Sequence, residues 1–231
     1  MGLSKLASGI AFLVDSDITI SDGWFAGLAS AFDDPAIQIA FGNVRLETGT
    51  FIEKSFALAM QAFPLDVGSR GIDSVDSFLA NNVALRRKAC GPELFPNSEA
   101  YRGHCKVASN KILSAGGRIF RVNAARGLHP APNGLRHFML QALVDGRDEV
   151  ILTRLGARKK WKAGPLGSLV RLLRSVGEAL LRILTKGGPI GLHPLQVVPA
   201  WGVAVAYYGL RFLGELATQI DPRFVRNSGM H

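Results

Sequence analysis

Two aspartates stand one residue apart, Asp15 and Asp17, directly behind the apolar run "IAFLV" at 10 to 14. At positions i and i+2 two side chains share one face of a strand, and a turn at the strand's end brings them closer. Paired carboxylates in that position suit a hard divalent cation. Mg²⁺ or Mn²⁺ is held by one or two carboxylates and completes its shell with water and phosphate oxygens, so a diphosphate is its natural ligand. An EF-hand calcium loop is excluded, because its sixth position must be glycine and Ile20 occupies it. The same two aspartates also suit a plainer task, capping a turn and the helix that follows.

The elements around the pair read as an α/β alternation. The run at 10 to 14 predicts a strand buried on both faces, as in a parallel sheet. "SDGWFAGLASAFDDP" then predicts a short amphipathic helix, with Asp22 as cap, Trp24, Phe25, Leu28 and Phe32 as its apolar positions, and Pro35 as its stop. "AIQIAFGNVRLE" alternates as a strand does. Residues 50–62 have helical spacing at Phe51, Ile52, Phe56, Ala59 and Met60, and the Gly-rich stretch 64–75 predicts a loop. "FLANNVALRRKAC" predicts a short strand and a turn or helix start. "KVASNKILSAGG" predicts a helix closed by glycine, and "RIFRVNAARGLHPAP" a strand that runs into a proline-rich turn.

The C-terminal third has a different character. Residues 1–150 carry 15 Lys/Arg and 15 Asp/Glu, whereas residues 151–231 carry 12 Lys/Arg against Glu178, Glu215 and Asp221, so the net charge of +9 resides in the tail. After a helix over 135–155 and the basic connector "GARKKWKAGP", residues 166–185 place Leu169, Leu172, Leu173, Val176, Leu180 and Ile183 on one face. That pattern predicts an interfacial amphipathic helix. Residues 195–210 carry no charge but fall short of the ~20 residues a spanning helix requires; continuation to Leu213 permits a tilted or re-entrant insertion. Mean hydropathy is +0.18, between a freely soluble and a multi-span composition. Basic residues interleaved with aliphatics and few aromatics favour an anionic phospholipid surface over nucleic acid. Cys90 and Cys105 supply neither a disulfide framework nor zinc spacing, which points to a reducing compartment. Asp15 interrupts the N-terminal apolar stretch before it reaches signal-peptide length, and the expected location is the cytoplasmic face of a membrane.

Over residues 8–132 three blocks resemble the family-2 glycosyltransferases of the GT-A fold. "AFLVDSDITISDGWFAGLASAFDDPAIQIAFGNV" is similar to the family's centre, where a hydrophobic strand ends in the Asp-x-Asp metal motif and a Gly-Trp helix follows. "FLANNVALRRKAC" looks like its acceptor-side block, here Asn82, Val83-Ala84-Leu85 and Arg86-Arg87. "KILSAGGRIFRVNAARGLHP" looks like its closing helix, glycine turn, strand and histidine, here His129.

The resemblance implies a partial GT-A, Rossmann-like mixed sheet flanked by helices over 1–134, followed by a basic, membrane-associated helical region over 135–231. It implies a metal-dependent, inverting transfer of a sugar from a nucleotide-sugar donor to a glycan or lipid acceptor. Asp15, Asp17 and His129 would hold Mg²⁺ or Mn²⁺, and Asn82, Arg86 and Arg87 would meet donor or acceptor. His129, Arg86 and Arg87 equally suit turn or solvated surface positions.

The chain departs from the family in three places. The acid pair that provides the general base is absent near His104-Cys105, which leaves Glu99 or His104 for that role. Only 14 residues precede Asp15, so the segment that forms the nucleotide pocket in the family lies outside the sequence, as in an N-terminally truncated relative. The Gln-x-x-Arg-Trp motif of processive synthases is missing, which favours single transfers. The competing expectation is a non-catalytic membrane-surface interaction protein.

Overall fold

The computed structural model describes residues 9–60, 71–89, 103–157 and 164–223. The protein is of mixed α/β class: a six-stranded, mixed, curled sheet flanked by helices, ending in a long C-terminal helix. Two compact units divide the chain. The first takes Met1–Arg45, Asp66–Ser98 and His104–Pro130; the second takes Leu46–Leu65, Glu99–Gly103 and Ala131–His231.

The first unit contains the strands β1 (Ile10–Val14), β2 (Thr19–Ile20), β3 (Ile37–Leu46), β4 (Ile72–Val75), β5 (Asn82–Arg86) and β6 (Arg118–His129), in the spatial order β1-β5-β3-β6-β2 with β4 also on β6. Alternation along each strand sorts side chains between two faces. Ala40, Ala84, Phe120 and Val122 pack with Trp24 and Leu28 of α1 (Trp24–Ser30). Their neighbours Ile39, Phe41, Val83, Leu85 and Ile119 pack with Ala108 and Ile112 of α3 (His104–Ser114). The sheet is thus a filled layer between two helices, each burying one apolar face.

Three sequence expectations are corrected here. The apolar strand β1 enters no parallel ladder with its named neighbour: it pairs antiparallel with β5, Ile10 opposite Arg86 and Val14 opposite Asn82, and it stands at the end of the strand order. Nor is β1 buried on both faces: as an edge strand it buries only Ala11 and leaves Val14 exposed, because an apolar run carries no information on ladder direction or on a strand's place in the sheet. Asp22 does not cap α1; the cap is Gly23, at φ 76°, a left-handed conformation that glycine adopts without a Cβ clash. Within 64–75, residues Ile72–Val75 form β4 and pair with Val122 to Ile119. There Asp73 accepts hydrogen bonds from Arg121 and Asn123, both at 2.9 Å, so a polar segment without a hydrophobic pattern is held by cross-strand pairs.

The second unit is helical: α2 (Phe51–Met60), α4 (Gly134–Arg154), α5 (Pro165–Lys186) and α6 (Val197–Ile220). Helix α2 begins with a reciprocal cap, the Thr50 N–H donating to Glu53 Oε2 at 2.7 Å and the Glu53 N–H to Thr50 Oγ1 at 3.3 Å. Helix α6 extends ten residues beyond the uncharged stretch 195–210 because its two charges find buried partners. Arg211 donates to Glu149 of α4 at 3.1 Å, and Glu215 accepts from Arg171 of α5 at 3.2 Å. Phe56, Phe138, Tyr207 and Tyr208 form an aromatic cluster among α2, α4 and α6.

Candidate metal centre

Three backbone pairings in the first unit bring Asp15, Asp17 and His129 together. Asp15 leaves β1 with its N–H bound to the Asn81 carbonyl at 3.0 Å, which places it at the same end of the sheet as the start of β5. The chain then turns, the Ile18 N–H donating to the Asp15 carbonyl at 3.2 Å, and β2 joins the end of β6 with Thr19 opposite Leu128. Asp17 thereby arrives beside His129. One carboxylate oxygen from each aspartate and a ring nitrogen of the histidine all lie within 4.8 Å of one another.

The histidine's second nitrogen defines its chemistry. His129 Nδ1 lies 2.6 Å from the Pro130 carbonyl oxygen. A carbonyl only accepts, so Nδ1 carries the hydrogen in this contact and Nε2 is the nitrogen left to face the aspartates. Nε2 lies 3.6 Å from Asp17 Oδ2. The two groups attract with a proton or a cation between them. A backbone carbonyl that fixes the ring and aims the other nitrogen is the usual support of a metal-bound histidine. Ligands of one Mg²⁺ or Mn²⁺, each at ~2.1 Å, stand at most ~4.2 Å apart, so the Asp17–His129 pair fits and Asp15 needs to close by less than about 1 Å. Both aspartates are exposed, which leaves the outer positions open to water or phosphate oxygens.

Asn82 lies beside this corner, opposite Val14, but fully buried, its Oδ1 accepting from the indole N–H of Trp24. Space for its amide comes from Gly42, where a Cβ would lie 2.4 Å from Asn82 Nδ2. Arg86 stands four residues further along β5, ~13 Å from Asn82 at ~3.3 Å per residue. Its guanidinium donates to the carbonyls of Ile37 at 3.1 Å and Phe32 at 2.9 Å and stacks on the Phe32 ring. The structure thus turns Asn82 and Arg86 into the fold and does not bring Arg86 to the carboxylates. The Arg87 N–H donates to the Gly9 carbonyl at 2.9 Å. His104 opens α3, and Glu99 lies outside the described residues.

Two neighbours of the corner carried no sequence signal. Cys105, next to His104, is half-buried; burial pushes its thiol pKa up and the negative charge of Asp15 adds to the rise, which brings the start of α3 within electrostatic reach of the pair. Gly127 lets β2 approach β6, since a Cβ there would lie 2.9 Å from the Ile18 side chain. No spacing rule links positions 105 or 127 to 15; only the folded sheet does.

No known protein family matches this chain, and no curated protein is significantly similar to it.

Proposed function

We propose that the chain is a glycosyltransferase-like protein with a partial GT-A sheet. It would use Mg²⁺ or Mn²⁺ to hold a nucleotide-sugar donor and pass the sugar, with inversion and one residue at a time, to a glycan or lipid acceptor at the cytoplasmic face of a membrane. The observation that carries this reading is the convergence of Asp15, Asp17 and His129 from segments far apart in sequence, with His129 Nε2 3.6 Å from an Asp17 carboxylate oxygen.

In this reading the two aspartates and His129 Nε2 hold the cation, which supplies positive charge against the charge that grows on the leaving diphosphate. Pro130 keeps the imidazole in the required tautomer. His129 closes β6, and the turn that carries Asp15 and Asp17 is tethered at both ends, by β1 to β5 and by β2 to β6. The proton of the acceptor hydroxyl would go to Glu99 or to His104, the first residue of α3. A second reading, a non-catalytic membrane-surface protein, is favoured by the use of Asn82 and Arg86 inside the fold, where neither meets a donor.

Calorimetric titration with UDP and with GDP, each with and without Mn²⁺, separates the two. Metal-dependent binding that disappears in Asp15→Asn/Asp17→Asn supports the transferase. Absence of binding to either nucleotide in the wild-type protein, or binding that is indifferent to the double substitution, sinks it.

A further inference from the structure

The second unit buries several of its charges and displays many of its leucines. Glu149, Glu215 and Arg147 are buried, and the pairs Arg211–Glu149 and Arg171–Glu215 join α4, α5 and α6 on their inner sides. The outer sides carry apolar stripes, flanked on α5 by the exposed Arg174–Glu178 pair. On α5 the exposed residues Leu166, Val170, Leu173, Leu181 and Leu184 recur at three, four, seven and eight positions and form one stripe, opposite the inward Arg171 and Arg182. On α6 the exposed Val198, Val205, Leu213 and Ile220 recur every seven or eight residues. At ~1.5 Å per residue the stripes run ~27 Å from Leu166 to Leu184 and ~33 Å from Val198 to Ile220, beyond the scattered apolar residues of an ordinary soluble surface.

We propose that anionic phospholipid covers both stripes, with α5 and α6 lying in the plane of the bilayer at the boundary between headgroups and acyl chains. This deepens the membrane part of the reading above and does not depend on the chemistry at Asp15 and Asp17. Charge complementarity selects the occupant. Residues 151–231 carry 12 Lys/Arg against three carboxylates, and even without the inward Arg171, Arg182 and Arg211 this excess attracts anionic headgroups and repels a second copy of the same tail. Internal packing selects the orientation. Helix α6 has the length and composition of a membrane span, but one side of it is committed to α4, α5 and α2, with Glu215 and Arg211 paired inside. Leaving the unit as a lone span would carry both charges into hydrocarbon without Glu149 and Arg171, with only their mutual 3.8 Å contact kept. An in-plane position keeps every pair and wets only the apolar stripe with lipid.

The test is flotation of the full chain with vesicles of phosphatidylcholine alone or with one-third phosphatidylglycerol, beside single nitroxides at positions 198, 205, 213 and 220. The labels are carried on introduced cysteines in a Cys90→Ser/Cys105→Ser background. The expected result is flotation with the anionic vesicles only, about tenfold weaker for Leu173→Glu and for Val205→Glu, and a similar shallow depth at all four labels. A depth profile deepest at 205 and 213 and shallow at both ends overturns the in-plane assignment in favour of a span. Failure to float, with concentration-dependent dimerisation and spin-spin broadening, overturns lipid in favour of a second copy. Failure to float as a monomer overturns the proposal altogether. UDP and Mn²⁺ titration of the same samples reports on the sheet unit separately, so failure of the membrane assignment is distinguishable from failure of the sugar-transfer reading.

Discussion

Substituting alanine for two glycines should move stability in opposite directions, with signs set by what surrounds each missing Cβ. At Gly42, on β3, a Cβ would lie 2.3 Å from the Ala125 carbonyl oxygen and 2.4 Å from Asn82 Nδ2. Ordinary contact begins about 1 Å further out, and the obstacle on the β6 side is backbone, which cannot rotate away as a side chain can. Overpacking of this kind costs about 1–3 kcal/mol, and a backbone obstacle places Gly42→Ala at the upper end. The displaced group is also the amide that holds the Trp24 indole.

At Gly27, on α1, the nearest atoms would be 3.8 Å away, ordinary contact with Ala125. There alanine meets no obstacle and restricts the unfolded chain, a gain of about 0.5–1 kcal/mol. Of the three tryptophans only Trp24 lies in the first unit, so urea unfolding followed by fluorescence in a Trp161→Phe/Trp201→Phe background reads this region. The expected outcome is a lower midpoint and a red-shifted native emission for Gly42→Ala, and a higher midpoint for Gly27→Ala. Equal midpoints for Gly42→Ala and the parent would refute the packing around Asn82.

Other expectations concern separate features. Arg86→Met should destabilise the sheet unit by about 1.5–3 kcal/mol, through lost charged hydrogen bonds to the carbonyls of Phe32 and Ile37, while Mn²⁺ affinity stays unchanged; chemical denaturation and metal titration measure the two effects. Hydrogen bonds from Asn123 and Arg121 lower the Asp73 pKa below its ordinary 3.8. Its stabilisation is therefore complete above 3.8 and lost as pH falls through the lowered value, so the stability gap between the protein and Asp73→Asn should be constant near neutrality and close below pH 3.8 in acid titration. Glu53→Ala should cost about 1 kcal/mol by removing half of the reciprocal cap of α2, measured by thermal unfolding.

The sequence revealed what periodicity and punctuation encode. The alternation of Ile39 and Phe41 against Ala40, the helix that begins near Thr50, the glycine turn at Gly116 and the amphipathic α5 all follow from spacing alone. Ladder direction did not, because β1 reads as an apolar run whether its neighbour is parallel or antiparallel. The short strands β2 and β4 were invisible: two or four residues are too few for a period, and both exist because β6 supplies partners about 50 to 110 residues away. The same distance in sequence concealed the fate of Asn82 and Arg86, whose partners Trp24 and Phe32 belong to another block. It also concealed the reach of α6, because Arg211 and Glu215 look like terminators until Glu149 and Arg171 are seen beside them. Asp15 and Asp17 announced themselves as neighbours; their approach to His129 required the β2–β6 pairing.

The most direct measurement is paramagnetic broadening of the histidine ring signals by substoichiometric Mn²⁺ in the full chain, compared with Asp17→Asn. The metal-centre account predicts selective broadening of the His129 ring protons among the five histidines and recovery of the sharp signal in the variant. Unselective broadening, or selective broadening that survives Asp17→Asn, would contradict it.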